Sequence, residues 1–183
     1  MKRILLLTGS PGVGKSTVVW HVVEALRAKC YQVGGMVSGE MRVNGTRVGF
    51  EITDLAGGGQ GMLAHVKGKG PQVGRYRVNL EDLDAVGAVS IVNAVENSDV
   101  VVIDEIGPME LFSAAFQDAV RRAVESVKLV VGVVHWRARS KLIDEVRGRP
   151  DAGLYEVTFE NRETLHRVVV EKAVEFLEHR LPK

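Results

Sequence analysis

The sequence predicts an α/β fold of the doubly wound kind, a mainly parallel sheet with antiparallel strands added at one edge, and three observations carry that expectation. Five short valine-rich runs bounded by turn residues recur at 4–8, 33–38, 100–103, 129–134 and 154–159, with the unbroken apolar character of strands buried on both faces. Stretches of helical periodicity separate most of them. After the second run the alternation breaks into an extended pattern over 40–54, with Asn44-Gly45 at its middle as a strong hairpin signal.

The first run, Ile4 to Leu7, leads into Gly9-Ser10-Pro11-Gly12-Val13-Gly14-Lys15-Ser16-Thr17, a match to the phosphate-cradling pattern G-x-x-x-x-G-K-[ST]. Glycines at 9, 12 and 14 allow positive φ, so successive N–H groups can turn toward phosphate oxygens. Val18, Val19, Val22, Val23 and Leu26 recur at spacings of three and four and predict a helix opening at Lys15. Its first turn adds unpaired N–H donors and the positive end of the dipole. Lys15 is long enough to reach the β- and γ-phosphates, Ser16 offers a hydroxyl to a bridging magnesium ion, and Thr17 lines the same pocket. A glycine turn that merely joined strand to helix would not require motif, strand and helix to coincide. A triphosphate is therefore expected at the centre of the function.

Cys30, near the end of that helix, reads as a small packing residue, with no second cysteine to pair with. The hairpin over 40–54 and a short extended stretch at 62–66 add antiparallel strands to the sheet edge. The glycine cluster at 57–61 lacks G-x-G-x-x-G spacing and precedes no helix, so it reads as a mobile connector. Residues 67–71 read as a solvated turn, with Arg75 beyond them as a candidate phosphate contact. Asn79 is placed to cap a helix reaching about residue 96, Ser113 one reaching about 126, and Asn161 one reaching about 180; a short helix over 140–147 completes the alternation.

The third run delivers Asp104 and Glu105 to its C-terminal end, where ligands collect in open α/β sheets. Asp104 would hold magnesium through water, and Glu105 would orient an attacking water or accept its proton. A plain surface pair is the alternative, opposed by four preceding aliphatic residues in a chain that already carries a phosphate loop. Asp104-Glu105-Ile106-Gly107 also matches D-x-x-G, but no guanine-reading N-K-x-D accompanies it. Arg137 and Arg139 either fold over phosphates as a lid or belong to a solvated loop with Lys141. Asn161 and Arg162 open the last helix, where Asn161 can cap and Arg162 can stack on a nucleobase. His21, His65, His166 and His179 show no metal-ligand spacing.

At 183 residues and 45% hydrophobic content the chain suits a single domain over 1–183. A net charge of +1 supplies no basic field, so a nucleic-acid partner is not expected. Four aliphatics behind Met1-Lys2-Arg3 are too few for a signal peptide or a membrane span, which points to a cytoplasmic protein with no membrane partner. A monomer is expected, because no long apolar helix face is left once the sheet is covered. Few Asn and Gln against many Val, Glu and Arg match thermophilic composition.

Gly9 to Thr17, Asp104-Glu105-Ile106-Gly107 with Met109-Glu110-Leu111, the His135 loop, and Val157-Thr158 to Glu160-Asn161-Arg162 together resemble a known family. It is that of the small P-loop nucleoside-triphosphatases of thermophiles, with a human member called cancer-related nucleoside-triphosphatase, and the similarity runs in order over nearly the whole chain. The resemblance implies a RecA-like strand order, with the run 129–134 between the first and third runs. It also implies magnesium-dependent hydrolysis of several nucleoside triphosphates to diphosphate and phosphate. In that order His135 would emerge beside the γ-phosphate, with Arg137 following it as a catalytic candidate from the lid, although a histidine at a strand end also reads as a plain surface or packing residue. Pro108 stands where many relatives carry lysine, so no contact by that lysine is carried over. Two rivals stay open. One is a small-molecule or nucleoside kinase, in which Glu105 deprotonates an acceptor held near the hairpin at 40–54 and the two arginines close over it. The other is a nucleotide-gated binding module with residues 57–61 as the moving part.

Overall fold

Along β1 (Ile4–Thr8), Ile4 and Leu6 pack to one side while Leu5 and Leu7 pack to the other, all of them buried. This period-two alternation with apolar residues on both faces makes β1 a central strand in the computed structural model, which describes residues 1–180. The elements that follow are α1 (Lys15–Ala28), β2 (Val33–Val43), β3 (Thr46–Asp54), β4 (Gln60–His65), β5 (Gln72–Val73) and β6 (Tyr76–Val78). A helical stretch then runs from α2 (Leu80–Asp82) through a π-helical segment (Leu83–Ala88) into α3 (Val89–Asn97). The chain closes with β7 (Val100–Ile106), a 3₁₀ turn (Glu110–Phe112), α4 (Ala114–Glu125), β8 (Leu129–Val134), α5 (Lys141–Arg147), β9 (Ala152–Glu156) and α6 (Leu165–Arg180).

All nine strands form one sheet in the order β5-β6-β4-β3-β2-β7-β8-β1-β9. From β2 to β9 the pairing is parallel, and from β2 outward to β5 it is antiparallel. β8 lies between β1 and β7, which is the RecA-like order. Val18, Val19, Val22 and Val23 of α1 cover one face together with Val169, Ala173 and Leu177 of α6; Ile91, Phe116, Val120 and Ile143 of α3, α4 and α5 cover the other. Among the described residues no helix is long and apolar enough to cross a membrane.

β2 takes part in both halves of the sheet. Val33 to Met36 pair with β7, and Met36 to Val43 pair with β3. Gly35 sits at this crossing with φ +114°, and a Cβ there would lie 2.1 Å from the Val102 carbonyl oxygen, so only glycine lets the two backbones approach. The turn at Asn44 (φ 49°) and Gly45 (φ 78°) has the left-handed pair that a two-residue hairpin requires.

Several local expectations are corrected. β9 ends at Glu156, earlier than the apolar run implied, because Val157 is buried beyond the strand and Phe159 is 65% exposed. β5 and β6, two and three residues long, are too short to leave a pattern in the sequence. Cys30 is exposed, with φ 67° just past the end of α1, and does not pack. Asn79, Ser113 and Ser140 do cap their helices, accepting from the N–H groups of Asp82, Phe116 and Ile143. Asn161 does not cap α6, which begins four residues later. Residues 54–59 form a turn closed by Gly58 N–H to Asp54 O (2.9 Å) and Asp54 N–H to Gly59 O (2.8 Å), and Gln60 and Gly61 of the glycine cluster already belong to β4.

Candidate active site

The strand–loop–helix unit shapes the site first. Gly9, Gly12 and Gly14 have φ of 152°, 75° and 110°, and a Cβ on Gly9 would lie 2.6 Å from the Val157 carbonyl oxygen. Val13 anchors the loop: its side chain is buried in the layer of Leu5 and Leu7, and its N–H donates to Ser10 O at 3.3 Å. Lys15 Nζ donates to the carbonyls of Gly9 (2.9 Å) and Ser10 (3.0 Å), so the ammonium is folded back onto its own loop. Pro11, Gly12, Gly14, Lys15, Ser16 and Thr17 line one end of a cavity of about 470 Å³.

β7 supplies the acidic wall. Its pairing with β8 is irregular between Ile103 and Ile106, the interval holding Asp104 and Glu105, and both of these line the cavity. Asp104 is 3% exposed; burial raises its carboxyl to about 6, against the pull of a hydrogen bond from Ser16 and the charge of Lys15. Glu105 is raised to about 7, first by burial and then by repulsion from Asp104, with Lys15 opposing. Glu110, buried at the cavity wall, is raised well above the usual carboxylate range by burial and then by Glu105. Glu110 is the site member that residue chemistry alone did not single out. Its only signal was its place between Met109 and Leu111 in the family segment.

Ser16 and Asp104 bring a hydroxyl and a buried carboxylate to the same cavity wall, where the hydroxyl favours the ionised carboxylate. This oxygen-only set fits a hard divalent cation such as magnesium, which takes one or two protein oxygens and completes its shell with phosphate and water. Among the described residues no three His, Cys, Asp or Glu side chains gather into a metal cage.

β8 brings His135 to the cavity. Its Nδ1 accepts from the N–H groups of Arg137 (3.3 Å) and Ala138 (3.0 Å), and burial followed by the charges of Lys15 and Arg147 lowers its pKa. With Nδ1 an acceptor, the ring is neutral and carries its proton on Nε2. Trp136 also lines the cavity, but Arg137 and Arg139 do not. Arg137 lies over the Trp136 ring at 4.1 Å, and Arg139 reaches toward Asp144 at 4.0 Å.

Arg162 flanks the loop on another side. Its Cδ is 3.6 Å from where a Cβ on Gly14 would stand, and its guanidinium lies 5.3 Å over the exposed Phe159 ring. Asn161 braces that turn, accepting from Thr158 N–H (2.8 Å) and donating to Glu156 O (2.9 Å). Arg75 is spent elsewhere, on the Tyr76 hydroxyl at 3.2 Å and the Arg47 carbonyl, and does not approach the phosphate loop. Residues 57–61 do not line the cavity.

Comparison with known proteins agrees with this geometry. The sequence profile of a family described as NTPase matches residues 4–170. Nucleoside-triphosphatase THEP1 of Methanopyrus kandleri is 44% identical over 181 residues, 98% of this chain and 100% of that protein. THEP1 of Thermofilum pendens is 49% identical over 164 residues, 87% of this chain and 89% of that protein. The crystal structure of THEP1 from the hyperthermophile Aquifex aeolicus superposes with a TM-score of 0.83 at 32% identity, covering 94% of this chain and 99% of the other. The solution structure of a human cancer-related nucleoside triphosphatase gives 0.81 at 33%, covering 94% and 98%.

Proposed function

The chain belongs to the NTPase family, and on that premise we propose that it hydrolyses nucleoside 5′-triphosphates to diphosphate and phosphate, with Ser16 and Asp104 as the residues that would hold magnesium. The supporting observation is the convergence of Lys15, Ser16, Asp104, Glu105 and His135 on one cavity at the C-terminal ends of β1, β7 and β8. Loop N–H groups and Lys15 hold the β- and γ-phosphates. Bound magnesium supplies positive charge against the phosphate oxygens. Glu105, beside Asp104 in a largely buried setting, orients the attacking water and takes its proton. His135, neutral at Nδ1, offers its Nε2–H to a phosphate oxygen. Arg137 would have to leave the Trp136 ring to reach the phosphates, and we assign it that movement on nucleotide binding. Arg162 stacks on the base beside Phe159, with Asn161 holding the turn; stacking reads any π-face and suits use of several bases.

A single-domain, cytoplasmic protein without a nucleic-acid partner accords with one exposed cysteine and a net charge of +1. Phosphate release from ATP, GTP, CTP and UTP, with and without magnesium, is the direct test, with Lys15→Ala as control. Equal release by parent and Lys15→Ala would overturn the assignment.

A further inference from the structure

The cavity extends past Glu105. Beyond the phosphate end it continues over the outer strands of the sheet, where Ser38 and Phe50 of the β2–β3 hairpin, Leu63 of β4 and Val73 of β5 line it, with Met109 and Trp136 also in its lining. We infer that this far half is an acceptor site for a nucleoside, whose hydroxyl takes the γ-phosphoryl group in competition with water. The inference rests on the triphosphatase reading, because it uses the same bound triphosphate.

Three observations argue for it. A water nucleophile needs no apolar chamber, yet Phe50, Leu63 and Val73 give the cavity an apolar wall away from the phosphate loop. The proposed function assigns the donor nucleotide's base to Arg162 and Phe159, neither of which lines the cavity, so the far half is left without an occupant. The far half offers flat and aliphatic walls and no unpaired cation among its described residues. Arg47, its one guanidinium, is bound to Glu40 (2.8 Å) and the Tyr76 hydroxyl (2.9 Å) and stacks on Phe50 at 5.1 Å. A phosphorylated or carboxylate acceptor would find no free positive partner there. An uncharged ring carrying hydroxyls fits, with Glu105 at the polar end.

In the step, the acceptor oxygen bonds to the γ-phosphorus as the bond from that phosphorus to the β–γ bridging oxygen breaks. The diphosphate leaves with the electron pair, and the hydroxyl proton passes to the Glu105 carboxylate and then to solvent.

The test uses the full chain with magnesium-ATP and millimolar adenosine, guanosine, cytidine or thymidine, following ADP, phosphate and nucleoside monophosphate. With at least one nucleoside, ADP is expected to exceed phosphate, and the excess to equal the monophosphate formed. Val73→Trp, which fills the chamber from a short edge strand, and Phe50→Ala, which removes a wall, are expected to cut transfer about tenfold or more while phosphate release from ATP alone stays within about twofold. ADP matched by phosphate with all four nucleosides overturns this proposal alone. Transfer unaffected by both variants overturns the placement of the acceptor. No ADP under any condition overturns the triphosphatase reading with it.

Discussion

Replacing Asp104 by Asn tests the energetics of the site apart from its turnover. The Asp104 side chain is buried, and burial lifts its carboxyl from 3.8 to about 6 in the metal-free protein. At 1.36 kcal/mol per pH unit, that rise opposes folding by about 3 kcal/mol once the group is ionised. Because the folded-state value lies above the unfolded one, the penalty is absent below pH 3.8, builds up to about pH 6 and is complete above it. Asparagine has nearly the same shape, still accepts from the Ser16 hydroxyl, and carries no charge. Asp104→Asn is therefore expected to be more stable than the parent by about 3 kcal/mol at pH 8 and by about half of that at pH 5. For a chain of this length the pH 8 gain corresponds to roughly 6–12 °C in Tm. Thermal and denaturant unfolding in the presence of a chelator at both pH values measures it. A variant no more stable than the parent at pH 8, or one with the same advantage at both pH values, would refute the reasoning.

Glu105→Gln is expected to keep ATP affinity, read by equilibrium binding, and to lose about a hundredfold in phosphate release, the ~3 kcal/mol typical of a missing preorganised group. Arg162→Ala should raise KM about tenfold for ATP, GTP, CTP and UTP alike with kcat unchanged, because stacking is indifferent to the base; a loss confined to one base would contradict the assignment. Gly35→Ala, forced to place a Cβ 2.1 Å from the Val102 carbonyl at φ +114°, should destabilise the protein by more than about 3 kcal/mol in denaturant unfolding.

Where one physical signal dominated, the sequence was easily read. The phosphate loop needs glycines, a lysine and a hydroxyl at fixed spacing between strand and helix, and α1 begins at Lys15 as that spacing requires. Asp104 and Glu105 were legible because four aliphatics lead straight into them, although β7 itself runs on through both to Ile106. Legibility failed where hydrophobicity and burial part company. Phe159 is apolar yet exposed beside Arg162, so it drew the last strand three residues too far and concealed a stacking surface. Glu110 drew no role from residue chemistry, because nothing local announces that the turn after β7 buries its carboxyl. The pairings of Arg47 with the Tyr76 hydroxyl, 29 positions away on the three-residue β6, and of Arg75 with the Arg47 carbonyl, 28 positions away, lie beyond any local reading.

Lys15 rests on the carbonyls of Gly9 and Ser10. A visiting anion does not meet a bare ammonium: it has to outbid two oxygens that already occupy it. The cradle thus has an entry threshold, which singly charged or weakly charged ions clear poorly and a polyphosphate chain, touching amides and ammonium together, clears with ease. Between turnovers the same contacts keep the lysine's long stem in one place, so the loop waits in nearly its working shape.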